Sequence, residues 1–179
     1  QTATVGTFGG GALWILDGTT RITNATFAHN NLSVGSGRGP SLWVRSGTVH
    51  LKNNIFVKST VGGNTASMYD EIEALPGGGT VVDNGFNIFG RLSESITLAS
   101  TSWVDSRTGA NFDDSFSKIG DPTKNCILNI DRVLRANGAT NGTFTLETTG
   151  INIDNGSAVA NDGVSIPSED QRGSTRTST

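Results

Sequence analysis

Residues 12–30, ALWILDGTTRITNATFAHN, align without a gap on residues 41–59, SLWVRSGTVHLKNNIFVKS, 29 positions further along the chain. Leu13 meets Leu42, Trp14 meets Trp43, Gly18 meets Gly47, Thr19 meets Thr48, Asn24 meets Asn53 and Phe27 meets Phe56, with Ile15 over Val44 and Ile22 over Leu51 between them. Recurrence at a period of this size marks a stacked-repeat architecture, in which each unit buries its apolar face only against its neighbours. Within a unit the apolar residues alternate as in strands, Leu13 with Ile15 and Thr20 with Ile22, matched by Leu42 with Val44 and Val49 with Leu51. Asp17-Gly18 or Ser46-Gly47 separates the two runs, a turn signal that permits positive φ. The units are too short for a crossover helix and carry no apolar period of about 3.6 residues.

Short strands joined by turns at a fixed period predict an all-β fold, a right-handed, single-stranded parallel β-helix. Each coil sets a residue about 4.8 Å from its copy. Phe27 is then expected on Phe56 in the core, and Asn24 on Asn53 in a turn ladder. A hairpin-built sandwich would also alternate strands and turns, but it gives no reason for gapless recurrence. A degenerate third unit is read in GGGTVVDNGFNIFG, 77–90, with Val82-Asp83-Asn84 in the place of Leu51-Lys52-Asn53 and the aromatic at Phe86 and Phe89. Between units two and three, 61–76 reads as a loop or short helix ending before Pro76.

From about residue 91 the periodicity fades. SITLAS (95–100), CILNI (126–130) and GTFTLETTGINI (142–153) are plausible strands, and IDRVLRANG (130–138) has the spacing of a short helix. The expected organisation is one domain over 1–179, with regular coils over about 9–90, irregular coils and a cap over about 91–173, and a polar tail at 174–179. A start at Gln1 suggests a piece of a longer protein.

Composition agrees with turn-rich β structure: 24 glycines, 34% hydrophobic and only 16% charged residues. The net charge of −3, with 13 scattered basic residues, argues against nucleic acid as a partner. No stretch approaches the length of a membrane span, and none reads as a signal segment. The single cysteine, Cys126, excludes an intrachain disulfide and reads as a buried, inert thiol. An Asn-, Thr-, Ser- and Gly-rich surface short of lysine fits an exported protein.

GGAL (10–13) followed by FAHN (27–30) resembles the paired motifs of polymorphic outer-membrane protein repeats. The wider chain is similar to bacterial β-helix proteins with a choice-of-anchor Q domain. The segments DNGFNIFG (83–90), NGATNGTFTLETTGINIDNGS (137–157) and DQRG (170–173) follow in the order found there. The similarity covers about 9–173 and departs from the family in two places. GINIDNG stands where Ser-Pro-Ala-Ile-Asp is usual, and the closing Asp-Ile-Gly-Ala segment is absent. What the resemblance implies is a secreted or cell-surface right-handed β-helix, often without established catalytic activity.

Two residue groups are candidate sites. Alternation turns Trp14, and with it Trp43, away from the Leu13/Ile15 face, so the outward pair either lies buried beneath a neighbouring domain or loop or binds sugars or a partner protein. Asp105, Asp113, Asp114 and Asp121 lie in WVDSRTGANFDDSFSKIGD; a solvated acidic loop is the favoured reading, with Asp113, Asp114 and Asp121 as candidates for Ca²⁺. Asp83 and Asn84 are expected to make turn hydrogen bonds. His29 and His50 occupy non-equivalent repeat positions and read as surface or turn residues. The sequons at Asn24, Asn31, Asn141 and Asn155 matter only in a eukaryotic secretory path. No catalytic triad order, zinc spacing or P-loop lysine is present. The chain is thus expected outside the cell or on its surface, as a structural or adhesive element without catalytic residues or a resident cofactor. Its partner would be a surface protein, a polysaccharide or copies of itself. The alternatives are a carbohydrate-active β-helix enzyme, with Ca²⁺ possible, and a self-assembling filament or surface-layer subunit.

Overall fold

The computed structural model describes residues 10–32, 38–61, 70–92, 96–105, 115–127, 156–169 and 174–175. Each 29-residue unit lays down not two strands but four. The first rung consists of β1 (Leu13–Ile15), β2 (Thr19–Thr23), β3 (Thr26–Ala28) and β4 (Asn31–Leu32). The second repeats it as β5 (Leu42–Val44), β6 (Gly47–Lys52), β7 (Ile55–Val57) and β8 (Thr60–Val61). The third supplies β9 (Ile72–Ala74), β10 (Gly79–Asp83) and β11 (Ile88–Phe89). Like strands pair in parallel, giving sheets β1-β5-β9, β2-β6-β10 and β4-β8 and a longer sheet that begins β3-β7-β11. The protein is all-β, with parallel strands in stacked sheets and no helix among the described residues, an arrangement consistent with a parallel solenoid.

Between the first two rungs the sequence alignment is also the strand register. Leu13 pairs with Leu42, Thr19 with Thr48, Phe27 with Phe56 and Asn31 with Thr60. Phe27 therefore lies in β3 and not in a corner leaving the rung, because the corners fall on either side of it. Asn24 (φ 55°) and His29 (φ 56°) turn the chain there, and Asn53 (φ 57°) and Lys58 (φ 59°) do so in the second rung. Asparagine tolerates this left-handed backbone better than most side chains. At the earlier corner Gly47 (φ 81°) sits over Gly18, and a Cβ on Gly47 would come within 2.2 Å of the Gly18 carbonyl oxygen. Close stacking of corners demands glycine there.

The third rung departs from the expected alignment. Asp83, not Val82, lies over Leu51, and Phe89 alone lies over Phe56. One extra residue between Asp83 and Asn87 is taken up by two successive left-handed residues, Gly85 (φ 93°) and Phe86 (φ 59°). Ile72–Ala74, expected in a loop or helix, is strand β9, because Ile72 continues the row Leu13–Leu42. Residues 62–69 lie outside the described part.

The asparagine ladder also runs one residue later than expected. Asn54 and Asn87 carry it, since the Asn24 and Asn53 side chains lie at the turning residues themselves. The Asn54 side-chain amide donates to the Ile22 carbonyl (2.9 Å), and its Oδ1 accepts from the Ala25 amide (2.9 Å). Asn87 does the same one rung on, donating to the Leu51 carbonyl (3.0 Å) and accepting from the Asn54 amide (2.8 Å). Each asparagine thus closes the corner of the rung before it and satisfies backbone groups that the strand ladders leave open. Inside, Phe27, Phe56 and Phe89 stack at centroid spacings of 4.7 and 5.8 Å. Leu42, Val44, Val49, Leu51 and Ile72 complete the buried core around them.

Beyond the third rung, β12 (Trp103–Asp105) adds in parallel to β11, and then β13 (Ser115–Lys118) and β14 (Asp121–Ile127) add antiparallel. The stretch 96–100, part of the expected strand SITLAS, is irregular, with the Ala99 amide held by Asp83. Of CILNI, Cys126 and Ile127 end β14. The expected helix over 130–138, the strands over 142–153, and DQRG lie outside the described residues.

Candidate functional site

Outward positions of the first sheet form the row Trp14–Trp43–Glu73. The two indoles stack with centroids 5.4 Å apart and planes inclined by 17°. Their exposure differs: Trp14 is 44% accessible and Trp43 only 4%. Leu13 and Ile15 face the core, as alternation requires. Arg38 pairs with Glu73 at the far end of the row. Trp14 therefore presents an aromatic surface held in orientation by a buried partner, and exposed Leu16 stands nearby in sequence.

The outer face of the second sheet carries a polar cluster. Arg21 and His50 are register neighbours on β2 and β6, and Asn84 follows the end of β10. Across them lies the segment 156–164, drawn from more than seventy residues further along the chain. Its tip is a tight turn in which the Asn161 and Val164 amides and carbonyls exchange hydrogen bonds (2.8 and 3.0 Å), with Asp162 and Gly163 left-handed at its centre. Asp-Gly suits such a turn. Asp162 Oδ2 meets Arg21 Nη2 at 2.5 Å and His50 Nε2 at 3.4 Å. Asn161, fully buried, donates to Thr23 Oγ1 (2.9 Å) and to the carbonyls of Ile22 (3.2 Å) and His50 (3.3 Å), and accepts from Asn84 (2.7 Å). Ser157 exchanges two further bonds with the Asn53 side chain (2.7 and 3.0 Å). The segment acts as a strap across the first three rungs.

Two carboxylates serve the interior. Asp83 takes the inward position that Ile22 and Leu51 hold in the earlier rungs. Its oxygens accept from the Gly85 amide (2.8 Å), Asn87 (2.7 Å), Ser102 (2.9 Å) and the Ala99 amide (2.8 Å). The expected turn role for Asp83 is thus what the geometry displays, whereas Asn84 turns outward to the strap. Glu71 is buried, accepting from Ser41 Oγ (2.6 Å) and the Ser59 amide (2.8 Å). Ser59 Oγ lies 2.8 Å from Ser41 Oγ, which also accepts from Asn30 (3.3 Å). Burial pushes the Glu71 carboxyl above its ordinary pKa, and the hydrogen bonds from Ser41 and Ser59 only partly oppose this.

Family models, curated proteins and solved structures were compared with the chain, and none matches. The candidate residues are therefore weighed on geometry. Trp14 and Trp43 are brought together. Asp105 closes β12 and Asp121 opens β14, with Asp121 paired in register with Lys118. Asp113 and Asp114 lie outside the described residues. Among the described residues no three His, Cys, Asp or Glu side chains cluster as metal ligands, and no helix is long and apolar enough to cross a membrane. His50 belongs to the strap cluster, and His29 holds a corner. Sequence reasoning did not find the cluster of Arg21, His50, Asn84, Asn161 and Asp162. The turn signal Asn161-Asp162-Gly163 was present, but its docking site, 77 to 141 residues earlier, leaves no local trace.

Proposed function

We propose that this chain is a right-handed parallel β-helix that works outside the cell or at its surface as a non-catalytic structural or adhesive element. On this reading it presents the Trp14 face to a surface polysaccharide or protein. The observation that carries the proposal is the row Trp14–Trp43: a half-exposed indole seated on a buried one, repeated by the same period that builds the core. An aromatic side chain held this way offers a flat apolar surface at little entropic cost on binding, and such faces stack on sugar rings or on apolar side chains. The carboxylates Asp83, Glu71 and Asp162 support the same reading, because each is engaged in joining one part of the chain to another.

Co-sedimentation of the purified chain with insoluble polysaccharides tests the proposal. Retention is expected, falling about tenfold or more in Trp14→Ser, in line with the loss of a principal aromatic contact. Calcium-dependent release of unsaturated or reducing sugar ends, lost in Asp113→Ala or Asp114→Ala, would overturn the non-catalytic reading in favour of a carbohydrate-active enzyme.

A further inference from the structure

Three described positions place an Asp or Asn directly before glycine: Asp17-Gly18, Asn84-Gly85 and Asp162-Gly163. In a flexible chain such pairs cyclise, because the glycine amide nitrogen can reach the side-chain carbonyl carbon unhindered, and Asn-Gly does so much faster than Asp-Gly. The fold gives the three pairs different surroundings.

At Asn84-Gly85 both participants are held. The Gly85 amide donates to Asp83 Oδ1 (2.8 Å), and the Asn84 side-chain nitrogen is engaged by Asn161 Oδ1 (2.7 Å) beside His50 Nδ1 (3.4 Å). At Asp162-Gly163 the carboxylate is drawn to Arg21 and His50, and the turn is closed by the paired bonds of Asn161 and Val164. Asp17-Gly18 differs from both. The Gly18 amide donates to the carboxylate of its own preceding residue, Asp17 Oδ1 (2.7 Å), in an exposed corner between β1 and β2. Gly18 has φ 80°, and the side of its α-carbon where a Cβ would stand is open space. The nucleophile and the carboxyl group are in contact there, and no neighbouring atom on that side blocks the change in geometry.

We propose that Asp17 is a site of spontaneous isomerisation to isoaspartate in the folded protein, and that folding protects Asn84 from deamidation. In the protonated carboxyl form of Asp17, the Gly18 nitrogen attacks Cγ. The new C–N bond forms as the C–OH bond breaks, and the hydroxyl leaves with the amide proton as water. The resulting succinimide takes up one water at either carbonyl, giving aspartate back or isoaspartate, with no net change in mass and no co-reactant. Isoaspartate routes the main chain through Cβ, lengthening this corner by one carbon. The Gly18 carbonyl accepts from the Thr48 amide at 2.8 Å, and Gly47 packs directly against Gly18. The first corner then loses its seat on the second.

The full chain is aged at mildly acidic and neutral pH, folded and in parallel in concentrated urea. Isoaspartate is mapped by peptide fragmentation and by labelling with an isoaspartate-specific methyltransferase. In the folded chain isoaspartate is expected to accumulate at Asp17 while Asn84 keeps its amide mass, and in urea Asn84 is expected to deamidate, with the other Asn-Gly pairs of the sequence, ahead of any change at Asp17. Asp17→Glu is expected to remove the folded-state label from that peptide. Deamidation of Asn84 ahead of Asp17 in the folded chain would overturn the proposal. So would an Asp17 that isomerises in urea and not in the fold.

Discussion

At the residue scale, Glu71 shows how a polar group can be placed where a repeat would put nothing costly. It lies at the start of the third rung, buried, with Ser41 and Ser59 as donors. Burial raises its pKa, so the folded chain holds the proton more tightly than the unfolded chain does. The sign of the linkage follows. Glu71 contributes stability that is fully present below the ordinary carboxyl pKa and is lost as pH rises through the raised folded value. Glu71→Gln keeps an acceptor for the Ser59 amide and removes the titration; the Ser41 hydroxyl, which donates to Glu71, then accepts from the new side-chain amide and donates to Ser59 Oγ. Denaturant unfolding across pH should therefore show Glu71→Gln more stable than the native chain at neutral pH and no better at acidic pH. A native advantage that grows with pH would contradict this account.

At the element scale, the strap 156–164 is held by hydrogen bonds that each use a side chain on one side or the other, and among the described residues it pairs with no strand of the sheet beneath it. The Arg21–Asp162 pair is partly exposed, so solvent screening limits its worth to at most about 1 kcal/mol. Buried Asn161, which donates to three main-chain or hydroxyl acceptors on β2 and β6 and accepts from Asn84, is the firmer anchor. In Asp162→Ala, global stability should fall by at most about 1 kcal/mol, while amide exchange at Asn161 and Val164 should quicken several-fold and that of β6 should stay as it was. Equal quickening in β6 would mean that the strap and the sheet open as one unit.

At the scale of the whole molecule, the stack behaves as a line of neighbours, each rung stabilised mainly by the next. Phe56, fully buried between Phe27 and Phe89, joins three rungs at once. Phe56→Ala should cost about 3–5 kcal/mol in chemical unfolding; a loss below about 1 kcal/mol would show that the aromatic row does not couple the rungs. The repeat alone determined the parallel pairing, the register of the first two rungs, the row of phenylalanines and the outward setting of Trp14, because a stacked rung can only place a residue over its copy. It did not determine the third rung, where β10 enters with Asp83 on Leu51 and one residue inserted between Asp83 and Asn87 leaves Phe86 outside the row. Nor could it show that Asn54 and Asn87, rather than Asn24 and Asn53, carry the ladder, since Asn24 and Asn53 are the pair that recurs at the period, Ala25 stands in the place of Asn54 in the first rung, and only backbone direction separates the turning residue from the one that reaches across. The burial of Trp43 against the exposure of Trp14, and the docking of Asn161 and Asp162 on Arg21 and His50, were decided by tertiary structure alone. Contacts between residues more than a hundred positions apart depend on where the chain returns in space, and neither period nor local propensity encodes that return.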